Sequence, residues 1–340
     1  MNNFAYRLPG ATEIITGRSS RLGDLSCREG FAVCGYDPYN NEVHVIPGDE
    51  EFPLEEMDAM AYSDADPITA FEFPQSSTTR EEYSETFSNV LSDICNGIYS
   101  KAVAARVIVE KGRVNLAATF RALAEQYPDA FVFCFHTEKA GTWIGASPER
   151  LLSFHGDEGT TMALAGTRPA GSIGYWDRKN ILEHTFVSRY IYKTLACRGA
   201  MPVVYPSVTL KAGPVEHLMT KITYRRYADA DPKIYKDLDP IEVALALSPT
   251  PALSGMPPKK AIAHVSEYEK FQRGFYGGFC GPVTGDSGLD LFVNLRSMRV
   301  ERDRYCLFAG GGLVADSKED EEWEETERKA GTIRRLMIID

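Results

Sequence analysis

The order of its segments predicts an α+β fold built on large, mainly antiparallel sheets. Strand-like runs follow strand-like runs, and helices fall between the runs; a doubly wound parallel sheet would alternate the two. The chain has 340 residues, 44% of them hydrophobic, which is ordinary globular composition and enough for a large core. No shift in composition after residue 80 marks a second unit, so residues 1–340 read as one domain.

The elements follow from local pattern. FAVCGY and EVHVIP are strand-like, and residues 61–78, rich in Asp, Pro and Ser, read as a connector. Thr79 and Glu82 have capping-box spacing, and Tyr83, Phe87, Val90, Leu91 and Ile94 recur every three to four residues, which predicts a helix. AVAARVIVEK is a strand with Lys101 at its start, and NLAATFRALAEQYPD is a helix stopped by Pro128. Strands are expected in AFVFCFHT, TWIGASPERLLSFH and TTMALAGTRP, and a helix from Asp177 to about Ala196. MPVVYPSVTLKAG and HLMTKITYRR are strand-like, while IEVALAL and KKAIAHVSEYEKF are helical. From FYGGFCGPV to YCLFAGGGLV the pattern predicts a β-meander turning at TGDSG and ERDR. A helix follows around EEWEETERKAG.

The net charge of −11 disfavours nucleic acid and anionic membrane surfaces as partners. It does not exclude a small anionic substrate, because a metal ion or a local Arg/Lys cluster dominates within about 10 Å. Seven scattered cysteines form no CxxC pair, which reads as reduced, mostly buried thiols. The N-terminus carries no signal-like pattern and no run approaches a membrane span, so a cytoplasmic location is expected.

Several residues carry possible chemistry. Seven acids lie between Glu319 and Glu327. On a helix Glu322, Glu325 and Lys329 share a face. Two like carboxylates side by side suit a hard cation such as Mg²⁺; the plainer alternative is a solvated acidic helix. The triple glycine Gly310, Gly311 and Gly312 ends a strand and could form an anion nest or a plain turn. Glu149 follows a buried run, where desolvation would raise its pKa and make it a general acid; a strand-end pair with Arg150 is the alternative. Lys101, before AVAA, could be a buried amine or a surface lysine. Alternation sets Phe292, Asn294, Arg296 and Met298 on one face, and a buried Arg296 needs an anionic partner, from substrate or protein. Glu183 and His217 carry no signal individually.

Taken in order, SKAVAAR, GASPERLL, ALAGTRPAG, EHLMTKI, LSPTPALSGMP, RGFYGGFCGPV, FVNLRSM, FAGGGLVADS and EEWEETERKAG resemble the chorismate-utilising enzymes. That family includes isochorismate, salicylate, anthranilate and aminodeoxychorismate synthases. The resemblance covers residues 79–340 and leaves 1–78 as a shortened N-terminal part. It implies a sandwich of large antiparallel sheets with helices packed outside, chorismate as substrate, and Mg²⁺. Lys101 and Glu149 are the implied base and acid. Glu183, Glu322 and Glu325 are the implied metal ligands. Ala165, Gly166, Thr167, His217, Tyr276, Arg296, Gly310, Gly311, Gly312 and Lys329 are the implied substrate contacts.

Ala165 stands where aminodeoxychorismate synthases resemble one another in carrying a lysine nucleophile, and Lys101 matches the base of the isochorismate and salicylate branch. Anthranilate synthases typically have glutamine there. One departure is Ser248, where the branch usually has histidine. The resemblance therefore implies an isochorismate synthase, an isomerase feeding menaquinone or siderophore synthesis. Salicylate synthase and then anthranilate synthase component I are the rivals, and a non-catalytic chorismate-binding protein is the reading of another class. No obligatory glutaminase partner is expected, and a monomer or weak homodimer is.

Overall fold

A computed structural model describes residues 1–37, 42–62, 71–226, 238–285 and 288–340. The N-terminal elements are β1 (Asn2–Arg7), β2 (Ile15–Ser19), β3 (Glu29–Cys34), β4 (Val43–Ile46) and the short helix α1 (Met57–Ala61). Then come α2 (Arg80–Cys95), β5 (Lys101–Lys111), α3 (Leu116–Gln126), β6 (Phe131–Thr137), β7 (Gly141–Ser147), β8 (Arg150–His155) and β9 (Glu158–Pro169). The central part holds α4 (Arg178–Cys197), β10 (Val203–Val204), β11 (Val208–Ala212), β12 (Val215–Arg225), α5 (Pro240–Leu247), β13 (Gly255–Met256) and α6 (Pro258–Tyr268). The chain closes with β14 (Phe279–Thr284), β15 (Gly288–Val293), β16 (Ser297–Val300), β17 (Arg304–Leu313) and α7 (Glu319–Arg334).

Two antiparallel sheets result. One runs β13-β5-β17-β16-β7-β6-β1-β2; the other runs β10-β12-β9-β8-β15-β14-β3-β4, with β11 on β12. Aromatic side chains fill the space between them. Phe131 of the first sheet stacks on Phe292 of the second at 4.2 Å, and Phe31 and Phe133 flank Phe131 at 6.5 and 5.7 Å. Each such ring buried from water contributes about 1.5–3 kcal/mol. Helices cover the outer faces: α2 and α6 lie on β5, α3 on β6 and β7, α7 on β17, α4 on β9 and β12, and α5 on β8 and β15. This is the predicted α+β sandwich with helices outside. The N-terminal strands serve both sheets, since β1 pairs with β6 and β3 with β14.

Helix starts follow the sequence. Thr79 and Glu82 form the predicted capping box of α2, and the side chain of Asp177 accepts the Asn180 N–H to start α4. The seven cysteines are free, and four of them are buried. Among the described residues no helix is long and apolar enough to cross a membrane.

Three expectations are corrected. TWIGASPERLLSFH is not one run: β7 lies in the first sheet and β8 in the second, with Pro148–Glu149 at the crossing. The meander is two hairpins, β14–β15 in one sheet and β16–β17 in the other, joined by Asn294–Arg296. Alternation from Phe292 to Met298 therefore fails, because Arg296 has φ +48° and breaks the strand. The triple glycine ends a strand as expected: it lies at the end of β17, opposite Ala105, Ala104 and Val103 of β5. Residues 63–70 of the expected connector and 286–287 of the TGDSG turn lie outside the described residues.

Candidate active site

The crossings between sheets gather polar side chains around one small cavity of about 50 Å³. Glu149, Ala165, Thr167, Glu183, His217, Tyr276, Arg296, Gly310, Gly312 and Lys329 line it. The other residues implied for the site stand immediately behind this wall. Lys101 is fully buried, with its Nζ 3.3 Å from Glu183 Oε1. Gly166 backs His217, and Gly311 backs Glu322 and Glu325.

The two candidate proton carriers are shifted in opposite senses. Burial pushes the Glu149 carboxyl up to about 8, against the downward pull of Lys101, Thr250, Lys329 and Arg296. Its side-chain partner is the Thr250 hydroxyl, a long contact at 3.5 Å. Burial lowers the Lys101 amine, and Glu183 opposes this only in part. The Lys101–Glu183 contact lacks the angle of a hydrogen bond, so Nζ makes none. Glu149 is therefore a protonated acid at neutral pH and Lys101 an amine that sheds its proton more readily than usual. The alternative pair with Arg150 does not form, as the Arg150 guanidinium lies over the Phe292 ring.

Glycines make room for this pair. A Cβ on Gly312 would come 2.1 Å from Glu183 Oε1 and 2.9 Å from Lys101 Cε, and one on Gly311 would come 2.9 Å from Glu322 Oε2. The glycines thus clear volume for functional side chains. Gly310 also keeps a free edge: its carbonyl accepts from Lys329 Nζ at 2.8 Å.

Arg296 is buried at the left-handed break between β15 and β16, a conformation that costs about 1–2 kcal/mol outside glycine. Its partners are neutral: Nη1 donates to Thr332 Oγ1 at 2.8 Å and Nη2 to His217 Nε2 at 3.0 Å. No carboxylate pairs with it among the described residues. A buried cation without an acid is costly unless a ligand supplies one. His217 is aimed by a bulge: the β9–β12 register shifts beside it and skips Gly166, at φ +77°. Burial, reinforced by Arg296, lowers His217 to about 3, so the ring is neutral.

The acidic helix divides as its spacing predicts. Glu322 and Glu325 are buried, and Lys329 Nζ lies 2.6 Å from Glu325 Oε1. Trp323 sits under the Arg106 guanidinium at 3.9 Å and packs edge-on to Tyr83, anchoring α7 to α2 and β5. Burial and Glu325 push Glu322 upward; for Glu325, burial is outweighed by Lys329 and Lys179, which hold it down. Glu322 Oε1 accepts from Ser317, whereas Oε2 is buried without a partner. Among the described residues no three His, Cys, Asp or Glu side chains close tightly enough to hold a metal as they stand. The orphaned Oε2 and the space over Gly311 nevertheless fit a cation held by Glu322, with Glu183 and Glu325 beside it.

Polar residues at the site that escaped the sequence reading include Lys179 and Thr250. Lys179 lies between Glu183 Oε2 at 3.5 Å and Glu322 Oε1 at 2.9 Å. Its i,i+4 spacing to Glu183, just after the Asp177 cap, was the available signal. Thr250 gave none, because its contact with Glu149 spans 101 residues of sequence.

A family model described as chorismate binding enzyme matches residues 54–338. Anthranilate synthase component 1 2 of Haloarcula marismortui is 30% identical over 77% of this chain and 50% of its own length. Isochorismate synthase MenF of Bacillus subtilis is 31% identical over 74% of this chain and 54% of its own length. The chain thus spans about half the length of these curated relatives. A Bacillus anthracis structure provisionally named a 2,3-dihydroxybenzoate-specific isochorismate synthase superposes with a TM-score of 0.81 at 22% identity, covering 98% of this chain and 95% of that one.

Proposed function

Because the chain belongs to the chorismate-binding enzyme family, we propose that it is a Mg²⁺-dependent isochorismate synthase. The observation that carries this reading is a pair of opposed shifts, a protonated Glu149 on the cavity wall and a destabilised Lys101 ammonium buried behind that wall. Exchange of a ring hydroxyl needs such a pair. Neutral Lys101 takes a proton from the water that attacks ring carbon C2. Glu149 gives its proton to the C4 hydroxyl, which departs as water. One water enters and one leaves, so the product is an isomer of the substrate.

Arg296 supplies the bidentate cation for a substrate carboxylate, and the N–H on the free edge at Gly310 lies beside it on the same wall. Neutral His217 holds Arg296 and donates from Nδ1 to Gly166 O, so it carries no proton for the chemistry. Leu164, Leu253, Leu295 and Phe308 exclude bulk water from the cavity. Bound Mg²⁺, held by Glu322 with Glu183 and Glu325, would neutralise the second carboxylate.

Relatives of equal identity named anthranilate synthase component 1 favour a second reading, amination with ammonia. Against it stands Lys101, since ammonia needs no added base. Product analysis with chorismate and Mg²⁺, with and without ammonium, separates the readings. Isochorismate as the main product is expected. Salicylate with pyruvate, or ammonium-dependent anthranilate fluorescence, would overturn the proposal in favour of the corresponding rival.

A further inference from the structure

We infer that Lys179 is a tethered cation that neutralises Glu183 and Glu322 when no divalent ion is bound and gives way when one binds. The inference rests on the magnesium site proposed above and adds an internal competitor to it. Lys179 sits in the first turn of α4, and its ammonium reaches across to α7, 3.5 Å from Glu183 Oε2 and 2.9 Å from Glu322 Oε1. It therefore ties together two helices that rest on different sheets.

The local charges balance without metal. Lys101, Lys179 and Lys329 face Glu183, Glu322 and Glu325, three against three. A divalent ion added to this set leaves two uncompensated positive charges in a mostly buried place, at a Coulomb cost that low dielectric enlarges. One lysine must retreat, or a dianion must enter. Lys101 cannot retreat, as it has no exposed surface, and even when it has lost its proton to act as the base, one positive charge stays uncompensated. Lys329 is fastened twice, to Glu325 at 2.6 Å and to the Gly310 carbonyl at 2.8 Å. Lys179 hydrogen-bonds no backbone carbonyl among the described residues, and its side chain is 19% exposed, so a rotamer change carries its ammonium to water.

Glu322 shows the same division on its two oxygens. Oε1 is taken by Lys179 and Ser317, while Oε2 is buried, unpartnered and directed at Gly311. A cation on Oε2 and an ammonium on Oε1 draw on one negative charge, so each weakens the other. Metal affinity is then reduced by the fraction of molecules in which Lys179 still holds the carboxylates.

Manganese titration followed by electron paramagnetic resonance tests this without turnover, alongside thermal unfolding in EDTA and in saturating Mg²⁺. Lys179→Met should bind Mn²⁺ roughly 10-fold more tightly than wild type, as expected when a dominant closed state is removed. It should also melt below wild type in EDTA, with the gap closing in Mg²⁺. Lys179→Gln, neutral but polar, gives the same reading if the Met variant folds poorly. Mn²⁺ affinity that is unchanged or weaker in both variants, with normal binding by wild type, would overturn the inference alone. Absence of Mn²⁺ binding by wild type would overturn the metal reading beneath it.

Discussion

Arg296 Nη2 lies 3.0 Å from His217 Nε2, and this contact fixes the state of both side chains. A guanidinium only donates, so Nε2 must accept and the imidazole proton must sit on Nδ1. From there it is donated to Gly166 O at 3.1 Å. The result is a neutral histidine used as a bracket for a buried cation that has no acid of its own. Arg296→Met should therefore act on substrate binding. Loss of one charge-assisted contact, about 1.5–3 kcal/mol, predicts a rise in KM of roughly 10- to 150-fold with a smaller change in kcat. Arg296→Lys, which keeps the charge but not the fork, should fall between. Steady-state kinetics decide; a fall in kcat at constant KM would place Arg296 outside the binding role.

Neighbouring glycines of β17 should respond differently to one added methyl. At Gly312 the Cβ would meet Glu183 Oε1 at 2.1 Å and Lys101 Cε at 2.9 Å, so the base and its partner must both move. At Gly310 the nearest atom is the Ala104 carbonyl at 3.2 Å. Gly312→Ala should lose roughly 10²-fold in kcat or more, as expected of Lys101→Ala itself, and Gly310→Ala should lose much less. Both proteins should keep wild-type circular dichroism. Equal effects at the two positions would contradict the view that Gly312 is there to clear space for Lys101.

How much of this was legible in the sequence depended on the range of the interaction. Helix caps at Thr79 and Asp177 and the inward face of Glu322, Glu325 and Lys329 follow from spacing of three or four residues. The order of strand runs was enough for the sheet class. Period-two alternation failed at Asn294–Arg296, because a chain that changes sheets breaks its pleat at one left-handed residue, and Arg296 gives no glycine to warn of it. The glycines of β17 invited a loop reading, although side chains from α4, α7 and β5 occupy the space their missing Cβ atoms leave. Such partners lie far away in sequence, as does Thr250 from Glu149, and no local period encodes them.

The pH dependence of kcat/KM should be a bell. Its acid limb reflects loss of the proton from Lys101, whose pKa burial has lowered. Its alkaline limb reflects ionisation of Glu149 near about 8. The Thr250 hydroxyl stabilises the charged form of Glu149 and so holds that value down. Thr250→Val should move the alkaline limb to higher pH, by up to about 1 unit for a contact this long, and leave the acid limb in place. Movement of the acid limb instead would exchange the two assignments.

Glu149 should also govern stability, with the opposite sign from an ordinary surface carboxylate. Its folded value of about 8 lies above the ordinary 4.5, so the folded protein holds this proton more tightly than the unfolded chain. The contribution is whole below about 4.5, declines as pH rises and is gone above about 8. Between those limits the slope approaches about 1.4 kcal/mol per pH unit for one proton. Glu149→Gln removes the titration while keeping the shape of the side chain. Urea unfolding of the two proteins from pH 5 to pH 9 should therefore show the variant gaining on wild type steadily up to about 8 and by a constant amount above it. The same variant should lose roughly 10²-fold or more in turnover, having no proton to give the leaving hydroxyl. A stability difference independent of pH would mean that Glu149 is ionised in the folded protein, and an ionised Glu149 cannot be the acid.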